Sequence, residues 1–427
     1  MDIHIANEAS NPTHRLEIPS SRHILTIGMT GTGKSTLLKS MVARKIRAGQ
    51  GVTVLDPHGS LCDDLIHFIP QSRVKDVIWF DPYDDPVIGL NFFDGPGEDH
   101  KKVSAILSMF ATVWKGFWGP QSNELVAFAT EAILKQNPGE RSILAVAKFL
   151  LNPPLKRQKQ QKKPPISYRQ KCLRQASAYV QDYWKQFAAR STRDQAEAIS
   201  HPGNKLSEFT RNPIVRAVVG QTHRTLELRR VMDEGAILLC RLSKGRLGSD
   251  VASILGSLIV SKLSLAALER ENVPEHRRRP HTLFADEVQA FVQGVDFPTI
   301  LAEARKYRLT LVIATQTISQ LPSPEAVFGN CSVIISYRLG GKDAQMMADE
   351  WGNQFSPTAF MRLSDYCFYA NFVKHETPQR NDIVYRANTE PERRGDEASG
   401  AMVKAASRRT NGSPRKEIDG KLSRFLG

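Results

Sequence analysis

The chain has 427 residues, 41% hydrophobic and 24% charged, which is enough apolar material for two or three packed domains and excludes a wholly disordered polymer. Five cysteines, Cys62, Cys172, Cys240, Cys331 and Cys367, stand singly with no CxxC pair, which argues against a disulfide framework or a zinc site and fits reduced thiols. The formal net charge is +14, and residues 100–221 hold 20 Lys/Arg against 7 Asp/Glu, so one segment carries nearly all the excess: either a polyanion-facing surface or a solvated basic one.

In chain order, residues 1–20 read as an extra strand and a turn. The apolar run 24–27 then leads into Gly28-Met-Thr-Gly-Thr-Gly-Lys-Ser35 and a helical pattern from Thr36. In this strand, glycine loop and helix order, backbone N–H groups cradle phosphates at a helix N-terminus, Lys34 reaches the β/γ-phosphates and Ser35 holds Mg²⁺. The expected binding set is Gly28, Thr30, Gly31, Thr32, Gly33, Lys34, Ser35 and Thr36. Residues 52–56 and 76–81 read as further buried strands, each ending in Asp-Pro.

From about residue 99 the pattern becomes helical, with apolar residues at three- and four-residue spacing over 103–118, 122–136, 143–151, 168–189 and 197–209. Within it, residues 150–174 carry eight basic and no acidic residues plus two Pro-Pro pairs, which predicts a basic loop. The α/β alternation resumes near 225, with strands at 235–242, 281–287, 309–316, 331–338 and 366–373 and helices at 250–270, 297–307 and 343–351. Residues past 390 read as a disordered tail.

The expected division is therefore 1–98 and 222–390 for a nucleotide-binding α/β domain, 99–221 for an inserted all-α basic domain, and 391–427 for the tail. The alternation implies a mainly parallel sheet with flanking helices and ligands at the strand carboxyl ends. The N-terminus lacks a basic region followed by an apolar one, so no signal peptide is expected. The most apolar stretch, 251–268, is interrupted by Lys262 and several serines and reads as a buried or amphipathic helix.

The apolar run 282–285 ends in Asp286-Glu287, which pairs a carboxylate for Mg²⁺ with a neighbouring base that polarises a water for in-line attack. Gln316 closes the apolar strand 309–315, either contacting a γ-phosphate or attacking water, or capping a turn. Arg305, Lys306 and Arg308 precede that strand, as a guanidinium supplied in trans or as a solvated helix end. Arg338 is the reserve candidate for the trans role. Lys244 and Arg246 lie in a turn that is either a DNA-contact loop or a plain connection, and His58 shapes the site or only a turn. The histidines make no metal-spaced cluster.

Together these residues resemble the HerA/FtsK superfamily of hexameric translocating ATPases, and within it the TraG/TraD-like conjugative coupling and type IV secretion ATPases. The carrying segments are the loop at 28–35, Leu55-Asp-Pro-His-Gly59, Phe80-Asp-Pro with Gly89-Leu-Asn91, Leu242-Ser-Lys-Gly-Arg-Leu-Gly248, Phe284-Ala-Asp-Glu287, and Glu303-Ala-Arg-Lys-Tyr307 leading to Ala314-Thr-Gln316.

The resemblance implies a RecA-like P-loop NTPase core with an inserted helical domain, a ring of six copies, ATP and Mg²⁺ between subunits, and DNA in the channel. It assigns Lys34 and Ser35 to phosphate and metal, Asp286 to metal, and Glu287, Gln316 and Arg305 to catalysis, sensing and the trans arginine. The implied function is ATP-driven DNA translocation for conjugative transfer. The alternatives are a DNA packaging or processing motor, or a nucleotide-gated assembly or protein-secretion scaffold. Coupling proteins of that family usually begin with transmembrane helices. With none seen here, a cytoplasmic protein that meets relaxosome or secretion-channel partners, and any membrane through them, is expected.

Overall fold

A computed structural model describes residues 3–7, 15–18, 21–94, 98–114, 118–151, 166–292, 295–372, 383–389 and 398–426. Most of the expected basic loop, 152–165, lies outside the described residues. The chain divides into two compact units, one of residues 1–80 and 228–407, the other of residues 81–227 and 408–427.

The first unit is built on strands. A hairpin pairs β1 (Ile3–Asn7) with β2 (Arg15–Ile18). Among the described residues the main sheet comprises β3 (Ile24–Ile27), β4 (Gly51–Asp56), β5 (Val77–Phe80), β6 (Ile237–Arg241), β7 (His281–Ala285), β8 (Leu309–Thr315), β9 (Val333–Ser336), β10 (Cys367–Phe372) and β11 (Ile383–Asn388). Their order across the sheet is β11-β10-β9-β3-β8-β7-β4-β6-β5. From β9 to β5 every pairing is parallel, whereas β10 runs antiparallel to both β9 and β11.

The parallel strands are nearly continuous apolar runs because helices cover both faces. Strands β3, β4, β7, β8 and β9 are buried at every residue. Helix α1 (Lys34–Arg47) buries Leu37, Leu38, Met41, Val42 and Ile46 into the same core as Ile24, Val54, Phe284 and Val312. Full burial of one such aliphatic side chain stabilises by roughly 1.5–3 kcal/mol.

The helix Ser249–Leu268 has a mean hydropathy of 1.9 over its most apolar window, long and apolar enough by composition to cross a membrane. Here 67% of that window is buried inside the protein, as a core helix. Gly256 marks its closest approach, since a Cβ there would sit 2.1 Å from Cδ1 of Phe291.

The second unit is helical: Asp99–Val113, Pro120–Leu134, Ile143–Leu151, Tyr168–Leu173, Ala178–Ala189, Thr192–Arg211, Pro213–Val219 and Arg415–Leu426. Several starts are dictated locally. Ser167 and Gln170 form a reciprocal capping box, and Ser177, Ser191 and Asn212 each accept from a first-turn N–H. Phe110, Trp114 and Phe209 pack with ring centroids 5.2–6.1 Å apart. Buried Arg169 lies over the rings of Phe149 and Trp184 and donates to the carbonyls of Phe149 and Leu150.

The expectation of a disordered tail over 391–427 is corrected by two helices, Gly400–Asn411 and Arg415–Leu426. The Arg408 guanidinium forks onto both oxygens of Asp84 (2.8 and 2.5 Å), and Ser413 bridges Val87. Ile418 and Leu422 are buried four residues apart, so a sparse apolar stripe and one ion pair order a segment whose composition reads as linker.

Candidate functional site

Parallel strands end at one edge of the sheet, so the loops after β3, β8, β7, β4 and β6 open on the same side. The loop after β3 is tied down by its own backbone and by its neighbours. The Gly28 N–H donates to Thr315 O (3.3 Å), that of Met29 to Arg338 O (2.9 Å), and that of Tyr366 to Thr32 O (2.8 Å). Glycine is required at Gly28, where a Cβ would lie 2.5 Å from that of Tyr337, and at Gly33, which has φ +113° and the rings of Tyr337 and Tyr366 within 3.2 Å of a Cβ position.

Lys34 opens α1 and is buried, its Nζ donating to the carbonyls of Gly28 (2.5 Å) and Met29 (2.8 Å). Burial pushes its pKa down, opposed by the charges of Asp286 and Glu287. Ser35 Oγ donates to Asp286 Oδ2 at 3.1 Å, which places two oxygen donors of the kind a hard divalent cation prefers side by side. Asp286 is itself buried, and that desolvation holds its pKa above the ordinary carboxylate value despite the Ser35 hydrogen bond. Among the described residues no group of three or more His, Cys, Asp or Glu converges as a protein-only metal site.

Glu287 adopts a left-handed backbone conformation (φ 46°), uncommon for a residue with a Cβ, which turns its side chain away from the line of β7. Its Oε1 accepts from Gln316 Nε2 at 2.5 Å and lies 3.1 Å from His58 Nε2, while Oε2 takes Lys244 Nζ at 3.2 Å. Burial raises its pKa, but His58 and Lys244 outweigh that and leave the carboxyl below its ordinary value. Four strand ends thus meet on one carboxylate.

His58 and Lys244 reach Glu287 because of the Asp56-Pro-His-Gly59 turn. Asp56 is fully buried and accepts from the backbone N–H groups of His58 (2.9 Å), Gly59 (2.8 Å) and Cys62 (2.9 Å). The Lys244 N–H donates to Pro57 O (2.8 Å), so the segment after β6 docks on this turn.

The sequence-expected residues Lys34, Ser35, Asp286, Glu287 and Gln316 are therefore brought together. Arg305 is not among them: it is exposed on the turn Ala304–Tyr307 before β8, at the opposite end of that strand from Gln316. Arg338 pairs with Asp365 (2.8 Å) and offers the loop only its carbonyl. Sequence reasoning left Lys244 and His58 open between function and connection, and passed over Tyr337 and Tyr366 beyond marking their strands. The only signal was an aromatic residue at each strand boundary.

Strand order, glycine loop and carboxylate pair define a RecA-like P-loop ATPase fold. The family described as "Helicase HerA, central domain" matches residues 15–212, and that described as "TraM recognition site of TraD and TraG" matches residues 280–357. Comparison with curated proteins returned no match.

Among solved structures, the plasmid coupling protein TrwB in complex with the GTP analogue GDPNP is 17% identical with a TM-score of 0.64, covering 89% of this chain and 88% of its own. The trigonal form of TrwBdeltaN70 with sulphate is 17% identical with a TM-score of 0.67 and 90% coverage of both chains. VirB4 of Thermoanaerobacter pseudethanolicus is 12% identical with a TM-score of 0.60, covering 94% and 97%. At these identities the structural likeness is one of fold. With the family matches over residues 15–212 and 280–357, the chain is similar to HerA-type and TraG/TraD-type P-loop ATPases.

The turn that orients His58 yields a stability prediction. Asp56→Ala leaves three backbone donors without their acceptor and costs about 2–3 kcal/mol. Urea unfolding should show a lowered midpoint, and an unchanged midpoint would remove Asp56 from its capping role.

Proposed function

We propose that the chain is an ATP-driven DNA translocase motor that couples DNA to conjugative transfer or type IV secretion. The observation that carries the reading is the meeting of Lys34, Ser35, Asp286, Glu287 and Gln316 at one sheet edge. In this reading the loop 28–36 wraps the triphosphate of ATP, with Lys34 turning from the carbonyls of Gly28 and Met29 to the phosphates. Ser35 and Asp286 hold Mg²⁺, which when bound neutralises phosphate charge. Glu287 accepts the proton of the attacking water, and Gln316 orients both.

The charge distribution supports DNA as the partner. The helical unit carries 27 Lys/Arg against 16 Asp/Glu, or +11 of the chain's +14. A scaffold that moved no polyanion would have no use for that excess. We take residues 99–221 as the inserted domain that faces DNA, and a homo-oligomeric ring, six-membered by resemblance, as the working form. The match to a region named for TraM recognition supports relaxosome or secretion-channel proteins as partners, with the motor on the cytoplasmic side.

Lys34→Ala should abolish ATP binding, whereas Glu287→Gln should keep binding and lose about 10²–10⁴-fold in turnover, read by equilibrium binding and single-turnover phosphate release. Normal turnover by Glu287→Gln would falsify the base assignment. Double-stranded DNA should stimulate the ATPase, and the stimulation should drop steeply between about 50 and 200 mM salt. A flat response removes DNA as the load. Finally, mixing Arg305→Ala with Glu287→Gln chains should restore part of the activity that each lacks alone, because some interfaces then join an intact site to an intact arginine. No rescue assigns Arg305 to a solvated surface.

A further inference from the structure

The sheet edge has a second flank. Gln316, Asp286 and Glu287 lie on the β8 and β7 side of the glycine loop, so the terminal phosphate of a bound nucleotide faces that way. The nucleoside end must then leave the loop on the other flank, over the ends of β9 and β10.

There Tyr366 occupies the position just before β10, and three observations single it out. Its backbone is left-handed, φ 65°, which an aromatic residue rarely adopts. That conformation is fixed from both sides, by its own N–H donating to Thr32 O at 2.8 Å and by the Thr389 N–H donating to its carbonyl at 2.7 Å. The residue nevertheless stays 50% exposed, and its Cδ1 lies 3.0 Å from where a Cβ of Gly33 would be. Among the described residues it stacks on no other aromatic ring and its hydroxyl takes no hydrogen-bond partner. Tyr337, by contrast, is fully buried, packs at a tilt against Phe368 and bonds Thr389.

We propose that Tyr366 is the stacking platform for the base of the bound nucleotide. An exposed aromatic face costs hydration unless something covers it, and a purine is a flat apolar surface of matching size. Strain held by the glycine loop and the residue after β11 fixes the ring against Gly33, at the mouth of the phosphate cradle, before any ligand arrives. Stacking reads a π-face and not a hydrogen-bond pattern, so the platform accepts ATP and GTP alike.

The inference rests on the reading of the loop as a nucleoside-triphosphate site, and the test separates the two. The full chain and its Tyr366→Phe and Tyr366→Ala variants are titrated with Mg-ATP and with inorganic tripolyphosphate, which has no base. Tyr366→Ala should bind ATP about ten-fold more weakly yet bind tripolyphosphate as the parent does, and Tyr366→Phe should match the parent on both. Equal losses on both ligands would make Tyr366 a support for the loop, and no loss on ATP would leave the base elsewhere. Either result overturns the platform. A parent chain that binds neither ligand brings down the nucleotide site itself and the platform with it.

Should Tyr366→Ala not fold, an azido-adenine analogue of ATP is photolysed on the parent chain. Label on the tryptic peptide of residues 363–374 supports the platform, and label confined to other peptides overturns it.

Discussion

Two adjacent carboxylates at the end of β7 stand in opposite surroundings, and the ligand edge depends on the difference. Asp286 is buried and accepts from the Ser35 hydroxyl and the Glu287 N–H. Glu287 faces His58, Lys244 and Gln316. Burial disfavours the charge on the first, while two nitrogen-bearing side chains favour it on the second. Environments that separate like groups in this way assign them different work. On the proposed reading the buried carboxylate seats a cation, and the one held from three directions accepts a proton.

That separation is a product of topology. Strand β8 lies between β3 and β7, which sets the ends of those two strands about 10 Å apart, while Ser35 at the start of α1 reaches across to Asp286. Gln316 at the end of β8 then has no choice but to stand in the gap. The helical residues leave the sheet after β5, the outermost strand, and return through β6 beside it. An insertion at a sheet edge interrupts none of the inner pairings, so more than a hundred residues can be added without loosening the site.

The nucleotide-facing half of this arrangement was legible in the sequence because parallel strands with both faces covered are continuous apolar runs, and each ends where a polar residue breaks the run. Gln316 and Asp286 are such breaks. The strand order was not legible, since no local pattern distinguishes β8 beside β3 from β8 beside β4. Lys244 was ambiguous for a related reason: its role comes from docking on the Asp56 turn, a contact between segments almost two hundred residues apart. Residues 408–426 misled because their order depends on Arg408 meeting Asp84, which composition does not register.

Arg305 lies apart from the residues that meet at the ligand edge. It sits at the start of β8 and Gln316 just past its end, and a seven-residue strand spans about 20 Å. No rotamer of arginine covers that distance, and the sheet between them is packed and rigid. The nitrogen-bearing side chains near Glu287 are lysine and histidine, which offer point contacts, and Arg338 is engaged by Asp365. A second copy that brings a planar, permanently charged group to this edge would let it fork onto a transferring phosphoryl. Within a single chain the edge brings together Lys34, Ser35, Asp286, Glu287 and Gln316. On the proposed reading the charge that stabilises the transfer comes from a neighbour's Arg305, which ties hydrolysis to assembly.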